Sequence, residues 1–385
     1  MPSFHIRNRV LPGLSRPMSR PLARHRMPRD GWRSLTVSAT SDTIRRSLAP
    51  VFVLGSPRSG TTLLYDMLLS AGGFAVYLAE SNVFNLLAPN FGALEKRENR
   101  QRLLNVWLGS KLFRGSGLAA TEVENQVLEQ CHNAGDFLRI VMDGIARAQG
   151  VERWAENSPE GILYLPLIKR LIPEALVVHM IRDGRDVAMS LNNTRYLRPF
   201  PWQGRISLIG AGIYWEWLVQ RGRSYGRELG PDYTEVHFEE LVSAPRESLQ
   251  RVGNFIAHDL DYGRILQVGY GSVRKPNTSF QSEGQENFNP VGRWRKGFTS
   301  RQLLRFETIV GKTLTDLGYT LSTSSTEMDK EMRATRWLYR TYFESKLRLK
   351  SQPLTRKLRP LTSARIDAMV LAEDHPPELA TGGSR

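Results

Sequence analysis

The chain has 385 residues, with Lys plus Arg at 53, Asp plus Glu at 38 and a formal net charge of +15. The surplus sits at the ends: residues 1–46 hold ten Arg against Asp30 and Asp42, residues 326–385 hold twelve Lys/Arg against eight Asp/Glu, and the body between is close to neutral. That distribution excludes a folded domain whose basic surface tracks a nucleic acid, and 41% hydrophobic residues exclude disorder throughout.

Residues 1–46 carry Arg16, Arg20, Arg24, Arg26 and Arg29 among Pro12, Pro17, Pro21 and Pro28, with no apolar stretch of the kind a secretory signal needs. They read as a basic, disordered leader; an organellar transit peptide, or a true start at Met18 or Met27, are the alternatives. From Pro50 onward, short apolar runs alternate with helical stretches, the pattern of β-α-β units and a parallel sheet. Val51-Phe52-Val53-Leu54 is the first predicted strand, followed by a helix with Leu63, Leu64, Met67, Leu68 and Ala71 at helical spacing and a stop at Gly72-Gly73. Phe74 to Tyr77 is a weaker strand. Residues 82–150 read as a helical insertion whose longest helix spans Glu122 to Ala148, and it contains the single cysteine, Cys131. One cysteine rules out an internal disulfide and a cysteine-based zinc site, and it suits a reducing compartment, taken as the cytoplasm.

Ala175 to Ile181 is the third predicted strand and Tyr233 to Phe238 the fourth, with a helix over Ile206 to Leu229 between them. The longest near-apolar stretch, Ile206 to Val219, is shorter than the roughly 18 residues of a membrane span and carries Glu216, so no transmembrane helix is expected. Tyr270 to Arg293 is a polar loop. Leu303, Phe306, Val310, Leu314 and Leu317 then line a closing helix. Asp329 to Lys350 reads as a basic amphipathic helix with Trp337, Leu338, Tyr342 and Leu347 towards one side; packing against the core or a partner is the expectation, peripheral membrane contact the alternative. The fold class is therefore α/β, a P-loop-like parallel sheet flanked by helices, with a helical insertion and a C-terminal helical extension. The divisions are residues 1–46, 47–322 and 323–385.

Two segments carry the chemistry. Gly55-Ser56-Pro57-Arg58-Ser59-Gly60-Thr61-Thr62 joins a strand to a helix, the setting in which backbone N–H groups and a helix N-terminus cradle an anion. Gly55 lets the chain turn, Gly60 allows close approach, and Ser56, Ser59, Thr61 and Thr62 add donors beside Arg58. Thr61 stands where a nucleotide triphosphatase has its phosphate-reaching Lys, which weakens an ATP-hydrolysing reading. After the third strand, Arg182 and Ser190 lie eight residues apart, and the lean of helical side chains points Ser190 back over the first turn towards Arg182, a clamp for one phosphate. Asp183 and Asp186 read as helix-dipole partners.

Together these segments resemble the sulfotransferases that use 3′-phosphoadenosine 5′-phosphosulfate (PAPS). The resemblance implies that Gly55 to Thr62 holds the 5′-phosphosulfate and that Arg182 and Ser190 hold the 3′-phosphate. It continues through Phe238-Glu239-Glu240-Leu241-Val242, where Phe238 replaces a Tyr; through Gly292-Arg-Trp-Arg-Lys-Gly297, implying that Arg295, Lys296 and Gly297 close over the 3′-phosphate; and to Leu317-Gly318-Tyr319. It covers about residues 50–320. Two separated anion sites suit a donor charged at both ends of adenosine, whereas ATP needs one cradle and magnesium.

Sulfuryl transfer needs a base for the acceptor's proton and cations on the departing phosphate, but no metal. Arg58 is the candidate for the phosphate. Glu80, following the second strand, is the candidate base on the strength of the resemblance; capping of a helix near Asn82 is its other reading. His179 lies within a strand and His132 on a helix without a visible partner. Asn157 occupies the place where many relatives carry a Lys, so a catalytic Lys is not carried over, and Lys296 is a substitute. Trp107, Phe113, Tyr196, Trp202 and Trp215 are either core or the wall of an acceptor pocket. Carbohydrate, lipid, small-molecule and protein-tyrosine acceptors all stay open, as do two rival functions: an unusual P-loop kinase and a non-catalytic nucleotide-binding protein.

Overall fold

The structure, a computed structural model, describes residues 39–194, 200, 206–269, 289–324, 327–350, 352–354 and 360–369. Most of the basic leader, Tyr196, Trp202 and most of the polar loop 270–293 lie outside the described residues. At the centre is a five-stranded sheet in the order β2-β3-β1-β4-β5, every neighbouring pair parallel. The strands are β1 (Val51–Gly55), β2 (Phe74–Ala75), β3 (Arg153–Asn157), β4 (Leu176–Ile181) and β5 (Tyr233–His237). Alternation along β1 divides the core: Phe52 and Leu54 join the larger apolar cluster on one face, Val51 and Val53 the smaller one on the other. The smaller cluster is closed by helices α1 (Thr61–Ala71) and Pro245–Ile256, the larger by the insertion, helix Leu208–Leu229 and helix Ser300–Asp316.

Three sequence expectations change. β2 has two residues rather than four, and β3 was not expected as a strand at all. Arg153-Trp-Ala-Glu-Asn157 shows no apolar alternation, yet all five residues are buried. Hydrogen bonds meet most of its polar groups: the Arg153 guanidinium donates to the carbonyls of Ala49 (2.8 Å), Arg46 (2.6 Å) and Ile256 (3.0 Å), and Glu156 accepts from two serines, while Arg153 Nη1 and Asn157 Oδ1 are left without a partner. The helix expected over Glu122 to Ala148 is two helices, Ala120–Gln130 and Ala134–Ala148. Asn133 separates them, its side chain accepting from the Gly135 and Asp136 N–H groups while Asp136 accepts from the Asn133 N–H in a capping box.

The basic helix of the C-terminal extension spans Lys330–Lys350, and of the four residues expected on its packing side Tyr342 and Leu347 pack against the core while Trp337 and Leu338 are exposed. Tyr339 and Phe343 are buried against Phe200, Tyr214 and Trp217, while Trp337 is 68% exposed. Gly210 permits this approach, since a Cβ there would lie 2.7 Å from the Tyr339 ring. Around the rings, Trp217 and Arg221 donate to Glu344, and Arg336 reaches the fully buried Glu216 at 3.0 Å with Arg340 at 3.9 Å. Arg336→Ala is expected to lower unfolding free energy by about 2 kcal/mol, because a buried carboxylate keeps only Thr313 and the more distant Arg340. A urea midpoint lowered at unchanged slope is the measurement; an unmoved midpoint would show the pair to be idle. No helix among the described residues is long and apolar enough to cross a membrane.

Candidate active site

The loop between β1 and α1 is held open by close packing from below. A Cβ on Gly55 would meet the Met180 carbonyl oxygen at 2.5 Å, and one on Gly60 the Phe238 ring at 2.3 Å, so both positions demand glycine. Gly60 has φ 92° and Arg58 has φ 71°, a left-handed conformation that costs a non-glycine residue about 1 kcal/mol or more. The Ser59 N–H closes the turn on the Ser56 carbonyl at 3.1 Å. Ser56 and Ser59 are fully buried and Thr61 nearly so, while Arg58, Gly60 and Thr62 are half-buried. The Ser59 hydroxyl has no hydrogen-bond partner, and the first turn of α1 presents N–H groups that no intrahelical carbonyl can satisfy.

The second segment converges on the first. Arg182, buried at the end of β4, donates to the Arg58 carbonyl (3.1 Å) and the Pro290 carbonyl (2.6 Å), with its guanidinium 4.2 Å above the Phe238 ring. Its Nε is buried without a partner, and burial pulls its pKa down. Ser190, on the helix Gly184–Thr194, accepts from Arg58 Nε at 3.0 Å. Arg58, Arg182, Ser190 and Phe238 therefore form one cluster, and Arg58 faces the Ser190 side, which the sequence assigned to a separate anion.

The late basic segment arrives over the same helix. Asp186 accepts from the Gly292 and Trp294 N–H groups, each at 2.8 Å, and the Trp294 ring lies between the guanidinium groups of Arg185 (3.9 Å) and Arg295 (4.7 Å). Gly297 packs on Met189, while Arg295 and Lys296 are exposed. Asp186 thus does more than complement the helix dipole: it ties the late segment down. Trp215 braces the cluster from beneath, its indole N–H donating to the Arg182 carbonyl at 3.1 Å and its ring filling the space a Gly184 Cβ would need. Trp107 and Phe113 pack with Phe137 in the insertion, so neither they nor Trp215 form an open aromatic wall.

Glu80 is half-buried in the turn that leaves β2. Instead of an α-helix near Asn82, a five-residue π-helical turn runs over Val83–Leu87, with Asn82 at φ 52°. The turn is fastened to the end of β3: Ser81 donates to Glu156 at 2.6 Å, and the Asn82 N–H donates to Ser158 at 3.0 Å. This sets Glu80 on the carboxyl edge of the sheet, where ligands of parallel α/β sheets bind. Asn157 ends β3, buried, with its Oδ1 unpartnered. His179 is a core histidine: burial holds its pKa down to about 3, and its Nδ1 lies 2.6 Å from the Tyr233 hydroxyl.

The carboxyl edge of the parallel α/β sheet thus gathers a strand–loop–helix turn, the buried Arg182 and the half-buried Arg58 and Glu80, groups able to hold an anion beside a carboxylate. Residues 50–262 match the sequence model of the Sulfotransferase family, and the chain belongs to that family. A Caenorhabditis briggsae protein with the provisional name protein-tyrosine sulfotransferase is 25% identical over 304 residues, spanning 74% of this chain and 93% of that protein. Among solved structures, the sulfotransferase domain from the curacin biosynthetic pathway superposes with a TM-score of 0.50 at 15% identity, over 71% of this chain and 98% of that one, a likeness of fold.

Proposed function

We propose that this sulfotransferase uses PAPS as donor and transfers its sulfuryl group to an acceptor hydroxyl. The observation that carries the reading is the pair of buried, unpartnered polar atoms, Ser59 Oγ in the loop and Nε of Arg182, which donates to the carbonyl of Arg58 in that same loop. A buried donor without an acceptor costs about 1–3 kcal/mol, and a doubly anionic ligand relieves both. Ser56, Ser59, Gly60, Thr61 and Thr62 serve the 5′-phosphosulfate; Arg182, Ser190 and the segment Arg295–Gly297 serve the 3′-phosphate; Phe238 supports both by packing under Gly60 and Arg182.

In the transfer step Glu80 takes the acceptor's proton as the acceptor oxygen bonds to sulfur. Arg58 and the loop N–H groups hold the phosphate oxygen that gains charge as its bond to sulfur breaks. The reading asks for no metal. Residues 47–322 form the catalytic body, the helix Lys330–Lys350 of the extension 323–385 braces it, and the single cysteine suits the cytoplasm. For the acceptor, a tyrosyl hydroxyl has the support of the nematode relative's name. Calorimetric titration with adenosine 3′,5′-bisphosphate (PAP) in EDTA, beside ATP with magnesium, tests the donor: metal-independent binding of PAP is expected, and binding of ATP alone overturns the proposal.

A further inference from the structure

Glu156 has no part in the reading above, and its place is unusual. It sits on β3 opposite Phe52 of the central strand, 4% exposed, and no cation pairs with it among the described residues. A carboxylate in such a site is expensive. Burial pushes its pKa up, and hydrogen bonds from Ser158 and Ser81 oppose that rise.

The two hydroxyls have a fixed polarity. Ser158 Oγ accepts the Asn82 N–H at 3.0 Å and donates to Glu156 Oε1; Ser81 Oγ accepts the Val83 N–H at 3.4 Å and donates to the same oxygen at 2.6 Å. Only a group that accepts twice can close both relays. On the other side of Glu80, the Tyr65 hydroxyl donates to the Tyr77 carbonyl at 2.6 Å, and Tyr65 belongs to α1, the helix that rises from the phosphate loop. Within the turn, Asn82 Nδ2 donates to the Glu80 carbonyl at 3.1 Å. Glu80 is therefore strung between two anchors, one on the loop's own helix and one on the strand beside β1.

We propose that Glu156 is a positioning residue for sulfuryl transfer: through Ser81 and Ser158 its carboxylate bolts the turn that carries Glu80 to the end of β3, in register with the phosphate loop. The proposal rests on Glu80 as the base. Displacing a reacting group by about 1 Å costs on the order of a hundredfold in rate, so a loosened turn lowers kcat without touching the donor site.

The test compares Glu156→Leu, Glu156→Gln and the double variant Ser81→Ala with Ser158→Ala against Glu80→Gln, with radiolabelled PAPS and an acidic tyrosyl peptide as acceptor and PAP titration as the binding control. Glu156→Leu and the serine double variant should lose about tenfold to a hundredfold in kcat, with PAP affinity within about twofold. Glu156→Gln, which keeps an oxygen able to accept twice, should recover most of the rate and the wild-type pH profile. Wild-type kcat in the serine double variant, or PAP affinity lost in step with the rate, overturns the positioning role even if Glu156→Leu does not fold. Glu80→Gln separates the two ideas: a dead Glu80→Gln beside an unimpaired serine double variant removes only the positioning role, whereas an active Glu80→Gln removes the base and the positioning role with it.

Discussion

Glu80→Gln is expected to reduce sulfuryl transfer by roughly 10²- to 10⁴-fold, the contribution of a placed general base, while PAP binds as before. The substitution keeps the size of the side chain and removes its negative charge and with it the capacity to take a proton. The backbone of the turn is held independently: the Glu80 carbonyl receives Asn82 Nδ2, and the flanking anchors belong to Tyr65, Ser81 and Ser158. Initial rates at saturating donor, read beside a calorimetric PAP titration, separate chemistry from binding. Turnover at the wild-type rate would withdraw Glu80 from the reaction, and a joint loss of turnover and PAP binding would make it a structural residue.

Arg182→Ala should act in the opposite sense, weakening PAP by about 3 kcal/mol, roughly two orders of magnitude in Kd, because a charged hydrogen bond to the ligand and the packing of the loop are lost together. The guanidinium binds the Arg58 carbonyl and the Pro290 carbonyl and covers Phe238, so its removal frees the loop tip and the start of the late segment at once. Arg182→Lys should recover little, since an ammonium cannot bridge two carbonyls while also lying flat on a ring. Unchanged PAP affinity in Arg182→Ala would remove the 3′-phosphate clamp from the proposed site.

What the sequence revealed and what it concealed divide along physical lines. β1, its loop and α1 were legible because apolar runs, glycine punctuation and helical spacing are local signals. β3 was not, because Arg153 and Glu156 are buried by contacts with Ala49, Ile256 and Ser81, residues distant along the chain, as well as with the neighbouring Ser158. The same holds at the site. Helical geometry placed Arg182 and Ser190 together, and in the structure each of them contacts Arg58, Ser190 at its Nε and Arg182 at its carbonyl. The anchoring of the late segment by Asp186 could not be read, because its partners are backbone N–H groups of Gly292 and Trp294, which carry no residue signature. On the helix Lys330–Lys350 the apolar residues are spread around the circumference, and the glycine at 210 on the opposing helix, together with Glu216 and Trp217 there, favours the face that carries Tyr339, Phe343 and Arg336.

The place of β1 in the strand order also governs how the chain can be made. Val51 pairs with Ala155 on one side and Leu176 on the other, so the first strand to be synthesised finds neither neighbour until much of the chain has followed it. Contacts of such long sequence separation slow folding. The helices Arg97–Leu108, Ala120–Gln130 and Ala134–Ala148 can meanwhile form from local contacts, leaving Val51-Phe52-Val53-Leu54 an apolar strand waiting for partners. An apolar strand left unpaired in this way is exposed to aggregation until β3 and β4 have been made, and only then are both neighbours of the strand that carries the phosphate loop present.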